Sequence, residues 1–138
     1  MVSKAVIAHK IVSIEQHLKR IKELPSISQE DFMKEADVQD ILLFNLLQAI
    51  QNCIDIATHI VSDEEWGIPG TQREAFEILG EKGTISDGLV ERLAAMVGFR
   101  NRVIHEYEKL RFDIVYEVWK KGVKDLQEFC SVIMERFV

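Results

Sequence analysis

The sequence predicts an all-α protein, an up-and-down bundle of three long and two shorter helices. Apolar residues recur at steps of three and four nearly throughout, and no run alternates with period two for long enough to claim a strand. Connections are short apart from residues 61–71, which suits helices that pack antiparallel to their neighbours. A chain of 138 residues fits one domain, 1–138, with a core that needs no staples.

Each element has its own signals. Ile7, Ile11, Ile14, Leu18 and Ile21 make one stripe on a first helix that begins near Ser3, an N-cap residue, and ends before Pro25. A short turn or helix follows from Ser28, with Asp31 three residues on. Asp37 is then placed to cap a long helix with the stripe Leu42, Leu46, Ala49, Cys53, Ile56 and Ile60. Asn45, Gln48 and Asn52 lie beside that stripe, where a polar interface would meet them. Gly67, Pro69 and Gly70 break the pattern into a loop. Thr71-Gln72-Arg73-Glu74 has the form of a capping box, and Ala75, Phe76, Ile78 and Leu79 face the core from the short helix behind it. Gly80 and Gly83 are read as its end. Ser86 caps the next helix, whose stripe Leu89, Leu93, Met96 and Val97 runs on towards Arg100. A last helix from about Asp113 presents Val115, Val118, Trp119, Leu126, Phe129, Ile133 and Phe137.

The composition, 47% hydrophobic and 29% charged, is that of a soluble globular protein. No stretch approaches the ~20 apolar residues of a membrane span, and the first residues lack the apolar core of a secretion signal. Cys53 and Cys130 sit in helical patterns as reduced core residues, which points to the cytoplasm. Trp66 and Trp119 are read as packing residues, and His9, His17 and His59 as exposed or rim residues. There is no His-x3-His or Cys-x2-Cys pair, so no metal site and no cofactor are expected. Nor is there a Gly-x-Ser-x-Gly or a phosphate-cradling glycine loop to suggest a hydrolase triad or a nucleoside triphosphatase.

The net charge of −6 argues against a non-specific nucleic-acid coat, but it is unevenly spread. Residues 28–65 carry nine acids and one base, whereas residues 90–111 carry five bases and three acids. The first 24 residues carry five bases and two acids. A polyanion is drawn to the second and third of these regions. The second contains Arg100-Asn101-Arg102-Val103-Ile104-His105-Glu106-Tyr107, a permanent cation, an amide, an imidazole and a phenol within about two helical turns. On a phosphodiester, an Arg neutralises the phosphate and a His moves a proton near neutral pH. The same spacing also suits a surface pair or a helix C-terminal cap. A straight helix, turning about 100° per residue, sets Arg100 and Tyr107 about 20° apart but Arg100 and His105 about 140° apart. Either the helix ends or bends near His105, or a two-fold dimer brings two copies to one cleft. The dimer is the favoured remedy, because it supplies a general acid and a general base together.

Several segments resemble the HEPN superfamily and, within it, the HepT-like toxins of two-gene toxin–antitoxin modules whose antitoxin is a nucleotidyltransferase (MNT). Residues 46–57, the run Arg73-Glu74-Ala75-Phe76-Glu77-Ile78-Leu79, and Met96-Val97-Gly98-Phe99 leading into Arg-x4-His-x-Tyr carry the likeness in order along the chain. It implies a HEPN-like helical homodimer whose signature motifs line one cleft, and a metal-independent endoribonuclease with RNA as substrate. Arg100 and His105 would be the catalytic pair and Asn101 the orienting residue, with Arg102 and Lys109 as further RNA contacts. Tyr107 matches the tyrosine adenylylated (AMPylation) by the nucleotidyltransferase antitoxin. Gln72 departs from the family, which often has an aromatic there. The alternative is a non-catalytic helical dimer that serves as a binding subunit for a nucleotidyltransferase or a nucleotide.

Overall fold

The computed structural model describes residues 2–138. Its helices are α1 (Lys4–Lys22), α2 (Gln29–Phe32), α3 (Ala36–Asp63), α4 (Gln72–Glu81), α5 (Asp87–His105) and α6 (Phe112–Phe137), with a 3-10 turn at Tyr107–Lys109 between the last two. Among the described residues there is no strand, as expected. The count of long helices is four rather than three: α1 and α5 each run for 19 residues, beside 28 in α3 and 26 in α6.

The predicted caps form at four starts. The hydroxyls of Ser3, Ser28, Thr71 and Ser86 accept from the amides of Val6, Asp31, Glu74 and Leu89 at 3.3, 3.1, 3.1 and 3.2 Å. The reciprocal half of the capping box is displaced by one residue, because Glu74 Oε2 accepts from Gly70 N at 3.0 Å instead of from the Thr71 amide. Asp37 does not cap α3. The helix begins two residues earlier than that cap would set it, at Ala36, and Asp37 lies in the first turn, where its charge still suits the positive end of the helix.

Helix α3 is the spine and touches each of the other five helices. Its predicted stripe is buried throughout. By length and composition it is long and apolar enough to cross a membrane, with a mean hydropathy of 1.3, but 61% of that window is buried inside the bundle. This departs from the expectation that no stretch approaches a span, since Asn45, Gln48, Gln51 and Asn52 dilute the apolar run without adding charge. Polar bonds set the register between α1 and α3. Lys10 Nζ lies 3.2 Å from Asp55 Oδ2, Asn52 donates to Ser13 Oγ at 3.0 Å, and His17 Nδ1 and Asn45 Oδ1 are 2.9 Å apart. Asn45 is itself buried and donates to Ile41 O at 2.8 Å, whereas Gln48 faces outward.

Two helices end in the same way. Trp66 N–H reaches Val61 O at the end of α3, and Thr84 N–H reaches Leu79 O at the end of α4. Such a reversal needs one left-handed residue. Gly83 supplies it at φ 73°, but Glu65 does so at φ 58° with a side chain attached. Gly80 lies inside α4 rather than at its end. A Cβ there would stand 2.6 Å from Val90 Cγ2, so the glycine lets α4 and α5 approach closely.

Phe32 of α2 meets the rings of Phe112, Tyr116 and Trp119 at 6.4, 5.5 and 5.7 Å, and Tyr116 Oη donates to Ile27 O at 2.8 Å. This cluster fastens the segment after α1 to the first turns of α6 and makes Trp119 a packing residue. Trp66 also packs against the core. Cys53 and Cys130 are unpaired and buried, and burial pushes the Cys53 thiol up.

Candidate functional site

Helix α5 carries the signature. Leu93, Met96, Val97, Phe99 and Val103 hold its inner face in the core, with Phe99 and Val103 one turn apart. This anchoring leaves Arg100 and Asn101 half-buried on the flank and Arg102, Ile104 and His105 exposed. Arg100 Nη1 donates to Asn101 Oδ1 at 3.3 Å. Within the chain, then, Asn101 holds the Arg100 guanidinium.

The helix ends at His105. Glu106 leaves helical geometry (φ −132°, ψ 35°) while its N–H still closes on Arg102 O at 2.8 Å. Arg100 and His105 both lie within the helix, so this end leaves them splayed about 140° apart and does not by itself bring them together. Tyr107 lies beyond the helix in the 3-10 turn, so its position follows from that turn and not from the helical spacing. Its side chain is 54% exposed.

Not all cations of the segment are free. Arg92 bonds Asp125 at 2.8 Å and Glu128 at 2.9 Å, tying α5 to α6. Arg111 bonds Asp113 at 2.7 Å, and this hydrogen bond holds the Asp113 carboxyl below the usual carboxylate range. Among the described residues, Arg100, Arg102 and Lys109 touch no carboxylate. Arg102, Lys109 and Arg111 share a small depression of about 130 Å³ with Phe99, Glu106 and Leu110. The segment thus offers a half-buried guanidinium, an exposed imidazole and a rim on which Arg102 and Lys109 are unpaired. An anion would find all three.

Exposed apolar residues near the signature were not expected. Ile104 of α5 is 50% exposed, and on α3 Ile41 is 37% and Phe44 59% exposed, the Phe44 ring standing 6.0 Å from that of His17 on α1. An open groove of about 470 Å³ between α3 and α5 is lined by Asp40, Leu43, Leu47, Val103, Ile104 and Tyr107. The signal available in the sequence was Ile104 itself, an isoleucine on the polar side of its helix.

The HepT-like family model, described as ribonuclease HepT-like, matches residues 14–133, which include the whole signature. The chain belongs to the HepT-like ribonuclease family. Among curated proteins, it is 34% identical to the mRNA nuclease HepT of Shewanella oneidensis over 128 residues, 93% of this chain and 96% of that one. It is 32% identical to the tRNA nuclease HepT of Aphanizomenon flos-aquae over 110 residues, covering 79% and 74% of the two. Among solved structures, the tri-AMPylated Shewanella oneidensis HEPN toxin in complex with MNT antitoxin superposes with a TM-score of 0.88 at 34% identity, covering 95% and 98% of the two chains. A toxin–antitoxin with AMP-PNP gives 0.88 at 32% identity, with 96% and 99% covered. The cytosolic protein YutE of Bacillus subtilis shares the fold alone, at a TM-score of 0.84 and 15% identity, with 97% and 90% covered.

Proposed function

We propose that this HepT-like ribonuclease is the toxin of a toxin–antitoxin pair, a cytoplasmic, metal-independent endoribonuclease that works as a homodimer. Its nucleotidyltransferase antitoxin neutralises it by adenylylating Tyr107. The observation that carries this reading is the state of the signature. Arg100 has no carboxylate to neutralise it, His105 is exposed at a helix end, and the Tyr107 side chain is half exposed two residues on.

The chemistry is in-line attack of a ribose 2′-hydroxyl on the adjacent phosphate, with the 5′-oxygen of the next nucleotide leaving. A His105 imidazole takes the proton from the 2′-hydroxyl, and a second imidazole delivers one to the leaving oxygen. Arg100 neutralises the charge that grows on the non-bridging oxygens, and Asn101 keeps that guanidinium oriented. The products are a 2′,3′-cyclic phosphate and a free 5′-hydroxyl, and DNA is not cut. Two copies supply the two imidazoles, and they meet at the face beside the signature, where half-exposed Ile104 lines the open groove between α3 and α5. Arg102 and Lys109 hold flanking phosphates. AMP on Tyr107 adds a bulky anion at the site and repels RNA.

The test is cleavage of a mixed RNA pool by unmodified protein in EDTA, with mass spectrometry of Tyr107 on the same sample. EDTA-resistant cleavage ending in cyclic phosphate is expected. An unmodified, folded dimer that leaves RNA intact refutes the nuclease and favours a non-catalytic binding subunit for the nucleotidyltransferase.

A further inference from the structure

We propose that the groove between α1 and α6 is an accessory track for the backbone of single-stranded RNA, separate from the signature. The groove, about 1030 Å³, is walled by Lys19 and Lys22 on α1 and by Lys120 and Lys124 on α6. Each pair stands three or four residues apart on its helix, so its two ammonium groups are neighbours along one wall. None of the four touches a carboxylate, whereas Lys10, Lys34, Arg73, Arg92 and Arg111 each do. Lys120 is held instead by aromatic faces, 4.0 Å from the Trp119 ring centroid and 5.1 Å from that of Tyr116. Its charge is fixed in place without being neutralised. Arg20 and Lys121, on the adjoining turns, are equally free of ion pairs.

In a chain of net charge −6, a cationic trough of this kind attracts polyanions. Its floor of Leu18, Ile21 and Val123 is apolar and suits the faces of unstacked bases, while the lysine walls suit phosphates. Glu15 and Glu23 also line it and temper the attraction. Trp119, at the groove, lies seven residues beyond Phe112, about 10 Å along α6 from the basic turn that follows the signature. One strand can therefore engage both. The inference rests on RNA being the substrate, and it adds a place where RNA is held away from the cleavage point.

The test uses the full chain carrying His105→Ala, so that RNA survives, and a fluorescein-labelled 20-nucleotide single-stranded RNA read by anisotropy across a salt series. Adding Lys19→Gln, Lys22→Gln, Lys120→Gln and Lys124→Gln should weaken binding about ten-fold or more. It should also flatten the log–log salt dependence by roughly 3, since each phosphate neutralised by a lysine contributes about 0.7 on a single strand. Glu15→Gln with Glu23→Gln should tighten binding, which keeps the test open if the four-lysine variant folds badly. Unchanged affinity and slope overturn the track, as does a His105→Ala parent that binds no RNA. Normal RNA binding with lost hold on the nucleotidyltransferase also overturns it, making the groove a protein-docking surface. Because the readout is binding, a wild type that cleaves while the variant keeps its affinity refutes only the groove. A variant that loses affinity beside a wild type that never cleaves refutes only the nuclease.

Discussion

His105→Ala should silence the protein while leaving it folded, and both halves of that statement have magnitudes. His105 is the last residue of α5, is exposed, and makes no hydrogen bond or ion pair among the described residues. Its removal therefore costs at most the attraction of a cation to the helix C-terminus, about 0.3–1 kcal/mol, which lowers the melting midpoint by a few degrees or less. General acid–base catalysis contributes about 10²–10⁴ in rate, so the barrier should rise by about 3–5 kcal/mol. Arg100→Ala should slow cleavage as severely and cost somewhat more stability, because it also removes the bond to Asn101. If the two act on one phosphate, the double variant should be little worse than either single one. The assay is single-turnover cleavage of a labelled RNA beside thermal melting of the same preparations. Cleavage by His105→Ala above about a tenth of the wild-type rate would refute the assignment of the proton-transfer role. So would strictly multiplicative losses in the double variant.

Tyr107→Phe should keep cleaving RNA but accept no AMP from the antitoxin, as mass spectrometry would show. Glu65→Gly should stabilise the fold by about 0.5–1 kcal/mol in urea titration, because it relieves a side chain held at positive φ where α3 ends. Gly80→Ala should destabilise it despite a gain of about 1 kcal/mol in helix propensity. The added methyl meets the stiff Val90 side chain at 2.6 Å, and overpacking of that kind costs about 1–3 kcal/mol. Because Arg111 lowers the Asp113 carboxyl in the folded chain, its contribution is present above the unfolded carboxylate range and fades as pH falls through the folded value. Asp113→Asn should therefore narrow the gap in melting midpoint between neutral and acid pH, with the loss appearing on the neutral side.

The apolar stripes and the four hydroxyl caps could be read from the sequence because each is a local rule, satisfied by residues within a turn or two of one another. The start of α3 could not, since Asp37 is a good cap on paper, whereas the residue found at the cap is Glu35, whose side chain makes no capping bond. Nor could the bonds from His17 to Asn45 and from Tyr116 to Ile27, which join residues far apart in sequence. At the site, the residue types were visible from their spacing, but the point where α5 stops was not. No glycine or proline marks that end, and Glu106 leaves helical geometry with an ordinary side chain.

That break gives Tyr107 a different mechanical setting from its neighbours. The turn that bears it is closed by only two backbone bonds, Lys109 N–H to Glu106 O and Leu110 N–H to Tyr107 O, whereas Phe99 and Val103 upstream are locked into the core. Opening those two bonds exposes little apolar surface, so the segment belongs to the part of the molecule that unfastens most readily. Under the proposed function, a nucleotidyltransferase acting on Tyr107 would reach the phenol by peeling back a single turn, with the helix bearing Arg100 left in place. Amide exchange should accordingly be fast at Lys109 and Leu110 and slow at Val103.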